Sequence, residues 1–283
     1  MMEVSEELES GQQVHPFRAL SPVERFRAYA IRHGSGRACV RALRELASKV
    51  LPRPIVDCAR LVRATDPLAA RVCPICGFAG YFGWSGCPPR RDAICPKCGS
   101  LERHRLFALA VQTGIVCSKW LSESRAIHFA PEPSLVEFLR CRTREYETAE
   151  PRPGADIVLN IESIALKDDC VDLIVANHVL EHVDDRRAAK EVLRILKSGG
   201  RFLVSVPVVE GWEKTYEDAA LNSSRMQELH FGQHDHKRLY GRDFAMRIQQ
   251  CGFDTVSEFT ACGSDAARYS LRPGEKIYCF LKR

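Results

Sequence analysis

The sequence predicts an α/β protein built on a doubly wound sheet, preceded by a small cysteine-rich unit and an Arg-rich helical extension. Three observations carry this. From residue 125 onward, apolar runs of strand length alternate with segments whose apolar residues recur at helical spacing. Upstream, Cys73-x2-Cys76 and Cys95-x2-Cys98 form two close pairs separated by eighteen residues. Before those, residues 17–71 hold twelve Arg or Lys, eleven of them Arg, against four acidic residues.

At 283 residues the chain can bury a full core and a second small domain. Its 45% apolar and 27% charged content is that of a globular protein, and a net charge of +5 is too mild to imply nucleic acid by itself. No apolar run approaches the ~18 residues needed to span a bilayer. The opening MMEVSEELESGQQ is acidic and lacks the apolar stretch of a signal peptide. Thirteen cysteines in that setting point to reduced thiols and metal, and a cytoplasmic protein, not a disulfide framework.

The elements follow in order. Residues 1–16 read as an acidic, disordered tail and 17–71 as the helical extension, broken by LPRP at 51–54. That extension is either a solvated surface or a face for an acidic partner, headgroup or RNA. Residues 72–108 read as small hairpins. The two CPxCG turns offer four thiolates for a closed tetrahedral shell, which fits a structural Zn²⁺ held by Cys73, Cys76, Cys95 and Cys98, with iron as the lesser alternative. Cys87 lies between the pairs as a bystander.

Residues 109–283 carry the α/β pattern. The segment AIHFAPEPSLVEFL (126–139) begins as a strand and ends as a helix, with Pro133 in the first helical turn. Strands are expected at 126–130, 144–150, 155–161, 171–177, 201–208, 254–260 and 276–282. Helices are expected at 133–141, 184–200, stopped by Gly199-Gly200, and 241–253. Residues 209–240 form a long, lid-like connection carrying His230, His234 and His236.

The run VDLIVANHVLEHVDDRRAAKEVLRILKSGGRFLVSVP (171–207) resembles class I S-adenosylmethionine-dependent methyltransferases of the type 11 kind, with Ser198 where their LKPGG turn has proline. The resemblance covers about 160 residues and implies a Rossmann-like sheet with a reversed final strand. It implies S-adenosyl-L-methionine across the carboxyl ends of the strands. Ala130, Pro131 and Glu132 fall where the family has its glycine loop, and no glycine occurs there. Glu150 falls at the ribose position, Asn160 and Ile161 near the adenine, and Asn177 and His178 beside the sulfonium and the acceptor.

Methyl transfer requires alignment and, for a hydroxyl acceptor, a base. His178 is the first candidate, followed by His234 and His236 from HFGQHDHKRLYG (230–241). That histidine cluster, with Asp235 inside it, reads as a lid supplying a base, a surface loop, or a divalent-ion site. His182 reads as packing or capping and His128 as a satisfied core residue. The leading expectation is O-methylation of a small molecule or sugar. The alternatives are an RNA methyltransferase guided by the zinc ribbon and the basic extension, and a non-catalytic zinc-ribbon interaction protein with a vestigial methyltransferase domain. Oligomeric state cannot be read from this sequence.

Overall fold

A computed structural model of the chain describes residues 68–86 and 89–283, all of which fall in one compact unit. The expected tail, nearly all of the Arg-rich extension, and Cys87 lie outside the described residues.

The cysteine-rich unit has two small antiparallel pairs. β1 (Arg71–Val72) pairs with β2 (Ala79–Gly80), and β3 (Gly83–Ser85) pairs with β4 (Arg90–Ile94). Two helices follow, α1 (Glu102–Gln112) and α2 (Ser118–Glu123). α1 lies where hairpins were expected up to residue 108. It runs unbroken across that boundary because LFALAV (106–111) is buried against the main sheet.

The α/β core then runs β5 (Arg125–Phe129), α3 (Pro133–Arg140), β6 (Glu145–Glu150), β7 (Ile157–Val158), β8 (Val171–Asn177), α4 (Asp185–Ile195) and β9 (Leu196–Ser205). The connection that follows is not structureless. It holds β10 (Tyr216–Glu217), α5 (Ser224–Phe231) and β11 (Arg238–Leu239), with β10 and β11 paired. The chain closes with α6 (Phe244–Gln249), β12 (Asp254–Thr260), α7 (Gly263–Arg268) and β13 (Lys276–Leu281).

Seven strands form one sheet in the order β12-β13-β9-β8-β5-β6-β7. The strands from β5 to β9 are mutually parallel, and β13 runs antiparallel to both neighbours. This is the expected doubly wound, Rossmann-like sheet with its reversed final strand. Side chains alternate across it with period two. Ile174, Ala176, Phe202, Val204 and Phe280 pack on the α4–α6 side, and Leu173, Val175, Leu203, Ile277 and Cys279 on the α1–α3 side. Central strands buried on both faces explain the near-continuous apolar run VDLIVA.

One expected boundary moves. α4 ends at Ile195, not in the Gly-Gly turn, and strand pairing resumes at once. Val171 pairs with Leu196 and Leu173 with Arg201, so residues 197–200 bulge out of the ladder. Gly199 takes φ 78° there. A Cβ on Gly200 would lie 2.7 Å from the Lys197 carbonyl oxygen. The strand expected at 155–161 shrinks to two residues, because Asp156 instead accepts the amide and hydroxyl of Thr148, each at 2.9 Å.

Candidate active site and thiolate cluster

Strand order reverses between β5 and β8, and the carboxyl ends of these neighbours open the crevice where α/β sheets take ligands. Ala130 (φ 48°) and His178 (φ 54°) follow those two strand ends in the left-handed region that costs a non-glycine residue of order 1–2 kcal/mol. Ala130 thus adopts the glycine-type backbone of the expected loop without being glycine.

Beneath the crevice runs a buried polar chain. Tyr146 Oη lies 2.8 Å from His128 Nδ1, and His128 Nε2 lies 3.0 Å from Glu132 Oε2. His128 is fully buried with both ring nitrogens partnered, as its reading as a satisfied core residue requires. Asn177 donates to the same Glu132 oxygen at 3.4 Å, and its own Oδ1 accepts from Ser205 Oγ at 3.0 Å. Glu132, Asn177 and Ser205 therefore lock together the ends of β5, β8 and β9. Burial alone would raise the Glu132 carboxyl, but the bond from His128, with its charge, holds it below the usual carboxylate range.

His104, from α1, completes the floor. The Leu101 amide and the Ser134 hydroxyl both point to its Nδ1, at 3.2 and 2.8 Å, so Nε2 carries the proton. That Nε2 is buried without a hydrogen bond among the described residues, 4.0 Å from Glu132 Oε1. Burial, outweighing the attraction of Glu132, pulls His104 down to about 4.

The remaining expected cofactor residues are spread along the same edge. Glu150 is half-buried at the end of β6, Pro131 is half-buried beside the exposed Ala130, and Ile161 is buried in the core. Asn160 is exposed, and its side-chain oxygen already accepts the Glu162 amide at 2.9 Å. The edge fits a ligand carrying ammonium and hydroxyl groups: Glu132 Oε1 takes no hydrogen bond among the described residues, and Glu150 stands on the neighbouring strand.

Beyond the ends of β8 and β9 lies a cleft of about 610 Å³, lined by His178, Ser205, His236, Arg103 and Glu275 among others. Arg103 Nε and Glu275 Oε2 are buried without partners among the described residues, so polar atoms are available to a ligand. His178 Nδ1 is 3.3 Å from Glu181 Oε1. Of the three histidines in the 230–241 segment only His236 is buried here. His234 is exposed, and His230 Nδ1 is engaged by the Tyr216 hydroxyl at 2.7 Å. Sequence reasoning passed over Glu181, although it stands beside His182 in the HVLEHV run, because adjacency in a turn gives no spacing signal.

The other site is the thiolate cluster. Cys73 and Cys98 sulfurs are 3.6 Å apart, as are those of Cys76 and Cys95, and all four lie within 4.8 Å of one another. A tetrahedral ion with ~2.3 Å metal–sulfur bonds requires sulfurs roughly 3.8 Å apart. Four thiols this close cannot all ionise unaided. Hydrogen bonds from Cys95 and Cys98 hold Cys73 far below the usual thiol range, while the same contacts push Cys95 far above it. A divalent cation supplies the missing positive charge, so the residues fit the group.

Residues 110–204 match the family described as "Methyltransferase domain". The chain is 29% identical over 122 residues to the ubiquinone/menaquinone biosynthesis C-methyltransferase UbiE of Vibrio vulnificus, covering 38% of this chain and 47% of that one. It thus spans about half the length of the relatives it matches. Similar solved structures include the YcgJ protein of Bacillus subtilis (14% identity, 64% of this chain and 99% of that, TM-score 0.43). Another is an S-adenosylmethionine-dependent methyltransferase of Mesorhizobium loti (15% identity, 57% and 92%, TM-score 0.41). No helix among the described residues is long and apolar enough to cross a membrane.

Proposed function

We propose that this chain, whose residues 110–204 are a methyltransferase domain, is an S-adenosylmethionine-dependent methyltransferase acting on an oxygen of a small molecule or sugar, with a structural Zn²⁺ on Cys73, Cys76, Cys95 and Cys98. The carrying observation is the convergence of His178 and His236 on one cleft that Ser205, the last member of the buried Glu132–Asn177–Ser205 chain, also lines.

When bound, the cofactor supplies a methyl group already activated on a sulfonium. The chain's own groups do the rest. Glu132 Oε1 accepts from an ammonium, and the Glu150 carboxylate accepts from the ribose hydroxyls. Ala130 and Pro131 bring backbone close to the ligand, and Asn160 and Ile161 border the adenine side. His178, at the end of β8, takes the proton of the acceptor hydroxyl on Nε2, and Glu181 beside Nδ1 favours the resulting charge. His234, being exposed, has no part in this reading.

The test is isothermal titration with S-adenosylhomocysteine, followed by a screen of hydroxylated metabolites and sugars. Micromolar binding is expected. His178→Ala should keep that binding and lower kcat by about 10²–10⁴-fold. Absence of cofactor binding would overturn the reading, and unchanged turnover in the variant would remove His178 as base.

A further inference from the structure

Glu181 is 1% exposed, and neither carboxylate oxygen has a hydrogen-bond partner among the described residues. A buried carboxylate left this way is strongly unfavourable unless a positive charge meets it. His178 Nδ1, at 3.3 Å, is near but out of hydrogen-bonding alignment. On the other side, His182 and His236 meet edge to face with ring centroids 4.6 Å apart. His236 is 5% exposed, and its Nδ1 is likewise buried without a partner. One ligand atom from each of Glu181, His182 and His236 lies within 4.8 Å of the others.

The arrangement is built, not incidental. Arg238, from β11, donates to the carbonyls of Leu180 (2.8 Å) and Val183 (2.6 Å), which bracket Glu181 and His182. The Lys237 amide donates to the Glu181 carbonyl at 2.8 Å. These bonds fix His236, one and two residues earlier in the chain, over the pair. His182 Nδ1 lies 3.3 Å from both the carboxylate and the carbonyl of Asp235, the outer partner that orients a metal-binding imidazole and leaves Nε2 free.

We infer that Glu181, His182 and His236 form a second metal site, for a divalent transition ion such as Zn²⁺, distinct from the four-cysteine cluster. Two imidazoles and one carboxylate form a borderline-soft set that suits zinc and its neighbours better than Mg²⁺ or Ca²⁺. Three protein ligands leave coordination positions open. His236 and His178 line the same cleft, so an acceptor hydroxyl is the ligand class those positions fit. That last assignment rests on the methyl-transfer reading; the metal site itself does not. A carboxylate has two oxygens, so binding an ion through one leaves the other beside His178.

The test uses the full chain with its cysteine-cluster metal retained. After dialysis against metal-free buffer, titration with Zn²⁺ should fill about one further equivalent per chain. Titration with Co²⁺ should add visible ligand-field bands without a thiolate-to-cobalt charge-transfer band. Glu181→Gln and His236→Ala should each weaken this binding at least ~100-fold, and the exposed Asp235→Asn about 10-fold, with the cysteine-bound metal unchanged. No further equivalent in the wild type, a thiolate band, or undiminished binding in both ligand variants would overturn the site. S-adenosylhomocysteine binding in the same samples separates this result from the functional one: metal uptake without cofactor binding would sink the methyl-transfer reading alone.

Discussion

His104 has its charge decided by burial. Its Nδ1 accepts from the Leu101 amide and its Nε2 faces Glu132, with Arg103, Arg105 and His178 as the other charged or titratable neighbours. The folded state holds it neutral down to about 4, against an ordinary 6.5. Because the folded pKa is depressed, the associated stability is complete above pH 6.5 and is lost as pH falls toward 4. The full effect is about 3 kcal/mol. His104→Asn keeps an acceptor near the Nδ1 position and cannot titrate. It should flatten the stability–pH slope between 6.5 and 4 in urea unfolding relative to wild type; an unchanged slope would mean the histidine is not the source. At the same scale, Glu150→Ala should weaken S-adenosylhomocysteine binding by about 1.5–3 kcal/mol, read by calorimetry. Equal affinity would remove Glu150 from the ribose position.

At the scale of elements, Gly200 is the position where local sequence and fold disagree most usefully. A Cβ there meets backbone, the Lys197 carbonyl at 2.7 Å and the Asp172 carbonyl at 3.2 Å, so nothing flexible can yield. Gly200→Ala should cost about 1–3 kcal/mol in denaturant unfolding, with the sheet retained. A neutral substitution would show that the bulge at 197–200 is not fixed. In sequence, Gly199-Gly200 reads as a helix stop, because glycine after an amphipathic run is the ordinary C-terminal signal. The strand β8 and the pair β12–β13 were legible to within a residue, since their apolar runs are long and cleanly bounded. Where β9 begins was not, because a bulge depends on the partner strand. α1 was hidden by the polar ERHR that opens it, and α5 by a loop-like composition. At the candidate site, Glu132, Asn177 and His178 were named from the family resemblance laid over strands that the apolar pattern locates, and they lie at or just past the ends of β5 and β8. His104, Glu181 and Ser205 converge with them only through the packing of α1, a turn and β9.

Across the whole molecule, Arg105 joins the cysteine unit to the far side of the α/β domain. Its guanidinium is fully buried over the Phe82 ring, 4.7 Å to centroid, and donates to carbonyls of Ala93 (3.1 Å), Ser100 (2.7 Å), Tyr269 (2.7 Å) and Ser270 (2.7 Å). The first two belong to the cysteine unit and the last two follow α7. A buried charge tied this way needs every acceptor, and its acceptors need it. Arg105→Leu would take a donor from four carbonyls, of which Ser100 keeps the Cys95 amide at 2.9 Å, and should destabilise the protein by about 3 kcal/mol. The same tie carries the consequence of losing the cysteine-bound metal. Cys95→Ser should abolish the zinc content of that cluster by elemental analysis, and full occupancy would refute the four-thiolate shell. With the shell broken, the carbonyls of Ala93 and Ser100 lose their fixed positions. Hydrogen exchange should then accelerate at 73–105 and, through Arg105, at 263–271, while β5 and β8 keep their protection. Acceleration confined to 73–100 would mean that the cysteine unit melts alone and that Arg105 does not couple it to the sheet.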